Sequence, residues 1–377
     1  MFRFFVRLLL LGCLFAPGPM LADGGKLLQA LNGARGGETI LLSGGDYGDV
    51  VLRDLDFQDP VVIKGKGPDD TALFRSLLID NVRGLRVDGI TAANPGNGTA
   101  ASSVVAITNS RDVALLNSEV HGLEDDVFNG HYGIYARDNA GIKISGNYVH
   151  DVKNGFVIYP NQGIEVSENY VDYIGNDGFK FIGVSDFLIE NNTQGGNVYP
   201  AAGAHLDFIQ FQGSSSSDGV IRGNVFLADT QAAVQGIFLD DADYHDITIE
   251  QNIIATGMLN GIVVGESNSS GITVRDNTLV NIPGIVHKAT KIRIMTIGAG
   301  ESSGNFTSSY EEETGFDYQA DTDDYSRIFQ GAIRLGLTIE DLRPVKGSAA
   351  EKYGASDRLA ELLDGASHTP DRAKNAP

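Results

Sequence analysis

The sequence predicts an all-β fold, a right-handed parallel β-helix, on three observations. The first is a recurring pattern of apolar, any, apolar, two further residues and then Asn, at 142–147, 164–169, 187–192, 247–252 and 272–277; Asn224 ends a shorter copy, and Ile90 and Ser118 take the Asn place in earlier ones. From Ile90 to Asn277 the steps are 28, 29, 22, 23, 32, 28 and 25 residues. The second is another register, Gly133, Gly155, Gly178, Asp207, Gly236, Gly261 and Gly284, each followed by Ile or Phe, with steps of 22, 23, 29, 29, 25 and 23. Two markers that move together define one structural repeat. The third is the filling between them: short runs of period two broken by Gly, Asn and Asp, with no apolar period of 3.6 that would build a helical solenoid. Roughly ten coils are expected. An Asn at one corner of each coil can hydrogen-bond to its stacked copies and tolerates a left-handed backbone.

The elements follow in order. Residues 1–22 read as an export signal, with Arg3 and Arg7 before the apolar run 8–15 and cleavage after Ala22, which implies a secreted or periplasmic protein. Residues 27–31 suit a short amphipathic helix covering the first coil, an end that an open solenoid must protect. The β-helix domain is expected over 23–300, and an acidic loop or lid over 301–326. A C-terminal capping segment follows at 327–365, with a helix from Ser356 closed by Gly365, then a disordered tail at 366–377.

Composition limits the function. The chain has 377 residues, 49 Asp and Glu against 28 Lys and Arg, and a formal charge of −21. That field disfavours nucleic acid and anionic membranes as partners, and no run is long enough to anchor the chain in a bilayer. The single Cys13 lies in the signal, so neither a disulfide framework nor a cysteine metal site is available to the mature chain. A monomer is expected.

The opening run 37–42 with Gly48 and 60–65, together with the closing 344–350, resembles the pectate-lyase-like superfamily of secreted right-handed β-helix proteins, and is similar to chondroitinase B-like and alginate lyases. The resemblance covers roughly residues 25–355. It implies a carbohydrate ligand more firmly than a reaction, since one coil hosts lyases, epimerases, hydrolases and adhesins. Mannuronan C5-epimerases carry Asp-Pro-His where this chain has His205-Leu206-Asp207. Polygalacturonases carry Gly-His-Gly, which is missing here, although Asn176-Asp177-Gly178 and Asp240-Asp241 are similar to their acidic motifs.

Stacked registers bring distant residues together, because rungs lie about 4.8 Å apart. Counting from the glycine register gives one column of His131, Lys153, Asn176 and His205, and another of Tyr135, Val157, Lys180 and Ile209. Alternation places His205 and Asp207 on one face of their strand, and the glycines at 133, 155 and 178 are expected to leave room for a sugar chain. A uronic-acid lyase needs a positive group on the substrate carboxylate, a base and an acid. Lys180 or Lys153 fits the first role, His205 oriented by Asp207 the second, and Tyr135 or His131 the third. His131, Lys153, Asn176, Asp177 and His150 are expected to contact substrate, His150 through a second column of His121, His150 and Asp172. The same groups suit C5 epimerisation. A glycoside hydrolase would pair Asp207 with Asp177 or Asp240, and a non-catalytic glycan-binding surface protein would use the columns as a plain groove. No cofactor is called for; calcium on Glu124, Asp125 and Asp126 stays open, without a calcium-loop motif.

Overall fold

The computed structural model describes residues 23–365, apart from 67–69, 95–102, 124–129, 196–197, 199–203, 230–231, 266–267, 284–289, 296–299, 308 and 311–324. The expected signal, the triplet 124–126, most of the acidic loop and the tail therefore lie outside the described residues.

Short strands stack in parallel register to form three faces of a β-helix. The first face runs through Thr91–Ala93, Glu119–His121, Tyr148–Val152, Tyr170–Ile174, Thr193–Gln194, Val225–Leu227, Ile253–Thr256 and Thr278–Asn281. The second runs from Ser103–Thr108 through Tyr132–Arg137, Asn154–Ile158, Phe179–Phe181, Leu206–Phe211, Val234–Leu239 and Asn260–Val264 to Lys291–Ile294. The third includes Asn139–Ser145, Asn161–Ser167, Val184–Glu190, Ser216–Arg222, Tyr244–Glu250 and Ile272–Arg275. About eight turns are complete. Toward the N-terminus all three faces continue through the long strands Ala72–Asp88 and Gly45–Lys64, and at the other end the third continues through Gly300–Ser303.

Alternate side chains enter a narrow dry interior, where equivalent residues stack rung on rung. Phe156 lies on Phe179 with centroids 4.7 Å apart, and Phe181 on Phe211 at 5.1 Å. The Asn repeat forms the expected ladder at one buried corner. Each Oδ1 accepts the backbone N–H of the preceding ladder residue, and each Nδ2 reaches the next Oδ1 at 2.9–3.0 Å, from Asn147 through Asn169, Asn192, Asn224, Asn252 and Asn277 to Asn305. The left-handed residue is the one before the Asn: Gly146, Glu168, Asn191, Gly223, Gln251 and Asp276 have φ between 53° and 69°. The ladder Asn is thus selected for its two-sided amide and its neighbour for the turn.

The N-terminal helix Gly24–Gly33, capped by the Asp23 carboxylate, buries Leu27 and Leu31 over the first coil as expected. The C-terminal helix Ser356–Leu363 starts after Ala355, which makes no side-chain cap. Its segment runs back along the coils instead of only closing the last one: Tyr325 packs on Phe306, the Ala355 N–H donates to Thr278 Oγ1 and Arg358 Nε donates to the Gly223 carbonyl.

Candidate functional site

The functional candidates gather on the second face, at the corner just before its glycine register. On adjacent rungs the residues immediately preceding Gly133, Gly155, Gly178, Gly236 and Gly261 are Tyr132, Asn154, Asp177, Gln235 and Asn260. Between Asp177 and Gln235 stands Asp207, because Asp207 pairs with Gln235, Ile209 with Phe179, and Gln210 with Lys180. Phe208 therefore occupies the glycine place that the sequence reading gave to Asp207, and Lys180 neighbours Gln210 rather than Ile209. The slip arises because the glycine position faces inward, where an aromatic ring also fits: Phe208 is fully buried against Phe226 and Phe179.

The same geometry corrects the role of the glycines. A Cβ on Gly155 would sit 2.6 Å from the Gly178 carbonyl oxygen and 2.8 Å from Val171 Cγ1, while Gly133 and Gly178 back onto Val149 and Gln194. They make room for the protein's own interior at a tight bend and open no sugar channel.

The cleft lies on the outer side of this corner and has a volume of about 530 Å³. Lys153 and Lys180 supply positive charge, Asp177, Asp240 and Asp241 carboxyl groups, Asn176, Gln210 and Gln212 amides, and His205 and Phe238 rings. The His205 side chain is 61 % exposed, whereas that of Asp207 is 0 % exposed. His205 Nδ1 is 3.0 Å from Asp207 Oδ2, and Gln235 Nε2 lies 2.8 Å from His205 Nε2 and donates to Asp207 Oδ1 at 3.1 Å. Asp177 Oδ1 accepts the Asp207 N–H at 3.3 Å; its Oδ2 accepts from Asn154 and Asn176 at 3.1 and 2.9 Å and lies 3.7 Å from Lys180 Nζ.

Two neighbouring carboxyl groups under one histidine perturb one another. Burial, followed by the charge of Asp207, pushes the Asp177 carboxyl up to about 7. Burial also raises Asp207, against the pull of His205. The hydrogen bond to Asp207 raises His205 above its usual range, with burial opposing. A buried carboxylate that orients an exposed imidazole, next to a carboxyl group with a raised pKa, is an arrangement chemically suited to proton transfer.

Other sequence candidates fall elsewhere. His131 is 1 % exposed; its carbonyl accepts the Lys153 N–H at 2.8 Å, so its register is as counted, but its ring does not line the cleft. Tyr135 shares the outward column of Val157 and Lys180 yet leans on Tyr159, with centroids 5.7 Å apart, and does not line the cleft either. His121, His150 and Asp172 do stack in register, but on the first face. His150 is buried, with its ring 4.8 Å from His121 and 4.2 Å from Tyr148, so it is no rim contact. Burial depresses its pKa, and the bonds to Asp151 and Glu119 outweigh that and leave it raised.

Gln235, Asn260, Arg293 and Phe238 were not singled out by sequence reasoning. The signal for the first two was present, a polar residue before the glycines at 155, 178, 236 and 261 of the second register. Among the described residues, no group of three or more His, Cys, Asp or Glu is placed to hold a metal ion. No described helix is long and apolar enough to cross a membrane.

Residues 103–279 match the family model described as a right handed beta helix region. The fold is a right-handed parallel β-helix. This β-helix is similar to the crystal structure of an alginate lyase from Paenibacillus sp. str. FPU-7, at 14 % identity over 76 % of this chain and 98 % of that one, with a TM-score of 0.50. PfbA, a surface adhesin of Streptococcus pneumoniae, is similar at 12 % identity over 74 % of this chain and 90 % of that one, TM-score 0.47. A GH136 lacto-N-biosidase from Eubacterium ramulus is similar at 13 % identity over 75 % and 63 %, TM-score 0.46. No curated protein sequence matches the chain.

Proposed function

We propose that this β-helix acts on a uronic-acid-containing polysaccharide, cleaving it by β-elimination in the cleft around His205. The observation that carries the reading is the convergence there of Lys153 and Lys180 with a histidine whose Nδ1 is held by a buried carboxylate. Lys180 and Lys153 neutralise the substrate carboxylate and so lower the cost of removing the proton beside it. His205 Nε2 takes that proton once substrate binding displaces the Gln235 NH₂ that faces it at 2.8 Å. Electrons form the new C=C bond as the glycosidic C–O bond breaks, and the departing oxygen takes a proton from Asp177, the cleft carboxyl group that holds one near neutral pH. Asp177 thereby replaces Tyr135 and His131 in the acid role.

A glycoside hydrolase is the second reading, favoured by the same Asp177 in one cleft with Asp240 and Asp241, a protonated acid facing ionisable carboxyl groups. Incubation with a panel of acidic and neutral glycans separates the two. Elimination gives unsaturated uronates that absorb in the ultraviolet together with new reducing ends; hydrolysis gives reducing ends alone. Binding with neither product would leave a glycan-binding surface protein. With an export signal expected at 1–22, the activity proposed here is one on polymers met outside the cytoplasm.

A further inference from the structure

Arg293 stands on the strand Lys291–Ile294, three rungs beyond the strand of Asp207, yet a continuous row of hydrogen bonds joins it to His205. Arg293 Nη1 donates to Asn260 Oδ1 at 3.0 Å, Asn260 Nδ2 donates to Gln235 Oε1, and Gln235 Nε2 faces His205 Nε2 and Asp207 Oδ1. A guanidinium carries donors only, at any working pH. It therefore turns the Asn260 oxygen toward itself and the Asn260 NH₂ toward Gln235. Gln235 must then offer its oxygen to Asn260 and its NH₂ to His205. Facing a donor, His205 Nε2 presents its lone pair, and the ring proton is left to Nδ1, within reach of Asp207.

We propose that Arg293 is a positioning residue for this site: through Asn260 and Gln235 it joins Asp207, which faces Nδ1 and accepts from the Gln235 NH₂, in fixing the tautomer of His205, with the proton on Nδ1 and the lone pair on Nε2. Only the catalytic consequence, an unprotonated Nε2 that becomes the base when substrate displaces the Gln235 NH₂, rests on the lyase reading; the tautomer does not. The groups facing the ring pull in different directions. Asp207 and Asp177 favour the imidazolium and Lys180 opposes it, while the Phe238 ring lies 5.6 Å away at 65°. The row adds a second opposing element, since an Nε2–H would meet the Gln235 NH₂, a clash relieved only when both amides turn over and Arg293 loses its acceptor.

The test is the ¹⁵N spectrum of the imidazole nitrogens in uniformly labelled, substrate-free protein, with His205 assigned by its loss in His205→Gln. At alkaline pH, Nδ1 is expected protonated and Nε2 bare. Asn260→Asp, nearly isosteric, replaces the donor to Gln235 by an acceptor. The Gln235 amide should then turn its oxygen to Nε2, move the ring proton there and raise the titration midpoint by about one unit. Arg293→Met should give a mixture of tautomers, and Arg293→Lys, which keeps a donor, should restore the wild-type spectrum. A wild-type Nε2–H tautomer would overturn the proposal, as would an unchanged tautomer ratio and midpoint in both Asn260→Asp and Arg293→Met. If Arg293→Met does not fold, Asn260→Asp decides alone. Because the spectrum needs no substrate, a failed lyase assay leaves this result standing, and the reverse also holds.

Discussion

Replacing Asn192 by Ala cuts the corner ladder at its middle. The lost Oδ1 accepts from the Asn169 backbone N–H and from Asn169 Nδ2, both at 3.0 Å, and the lost Nδ2 donates to the Val166 carbonyl at 2.8 Å and to Asn224 Oδ1 at 3.0 Å. Not every partner is left stranded. Asn169 Nδ2 keeps the Ile144 carbonyl, and Asn224 Oδ1 keeps the Asn192 N–H. The Asn169 N–H and the Val166 carbonyl lose a buried partner, at about 1–3 kcal/mol each, so the expected loss is about 2–6 kcal/mol. That is a large share of the roughly 5–15 kcal/mol that holds a domain folded. Arg222→Ala is the control. Its ion pair with Glu190, at 2.7 Å, belongs to a side chain 49 % exposed, and its loss should cost about 0–1 kcal/mol. Urea melts of the three proteins measure the difference. A solenoid can unfold in parts, so exchange of the Asn169 amide proton provides a local reading that does not depend on two-state behaviour. An Asn192→Ala protein that melts with Arg222→Ala and keeps the Asn169 amide protected would refute the view that the ladder carries this corner.

Three further outcomes concern the cleft. His205→Gln should abolish turnover on any substrate the wild type cleaves, and His205→Ala should in addition melt earlier, because Asp207, at 0 % exposure, keeps the Gln235 amide but loses its bond to the imidazole; normal rates in both would remove the base. Lys180→Ala should raise KM and lower kcat together if the lysine neutralises a substrate carboxylate in ground and transition states, and steady-state kinetics on a uronate and on a neutral glycan would show whether the effect is confined to the charged substrate. Asp177 is an acid raised from 3.8 to about 7 on folding, so the folded chain holds its proton more tightly than the unfolded chain. The stability this confers is complete below about pH 3.8 and disappears as pH rises through about 7. Asp177→Asn should flatten melting temperature against pH over that window, and an unchanged slope would contradict the shift.

The column of candidate residues shows where sequence reading succeeded and where it slipped. Lys153, Lys180, Asn176, His205 and Asp207 come from register counting and Asp177 from its motif; all but Asp207 line one cleft, and Asp207 is buried beneath His205. Tyr135, His131 and His150 were placed in correct registers and still missed it. Register fixes a rung and a column; it does not say whether a side chain leans outward or packs under a neighbour. His150 shows this directly, in register with His121 and Asp172 as counted, and buried in a stack of rings.

By itself the sequence determined the β-helix, its period and its ladder, because a stacked Asn works only when the same residue returns at the same corner of each coil, and that demand is written into the chain as a repeat. It also brought an acid–base set to one side of the molecule. Only the tertiary structure decided the phase at the decisive strand, where Phe208 and not Asp207 takes the inward glycine place. That choice depends on the space left by Phe179 and Phe226 on neighbouring rungs, which no local pattern records. The row from Arg293 to His205 was likewise hidden. Its ends lie 88 positions apart in the chain, and the direction of each amide is set by a donor one or two coils away, a property of the assembled stack.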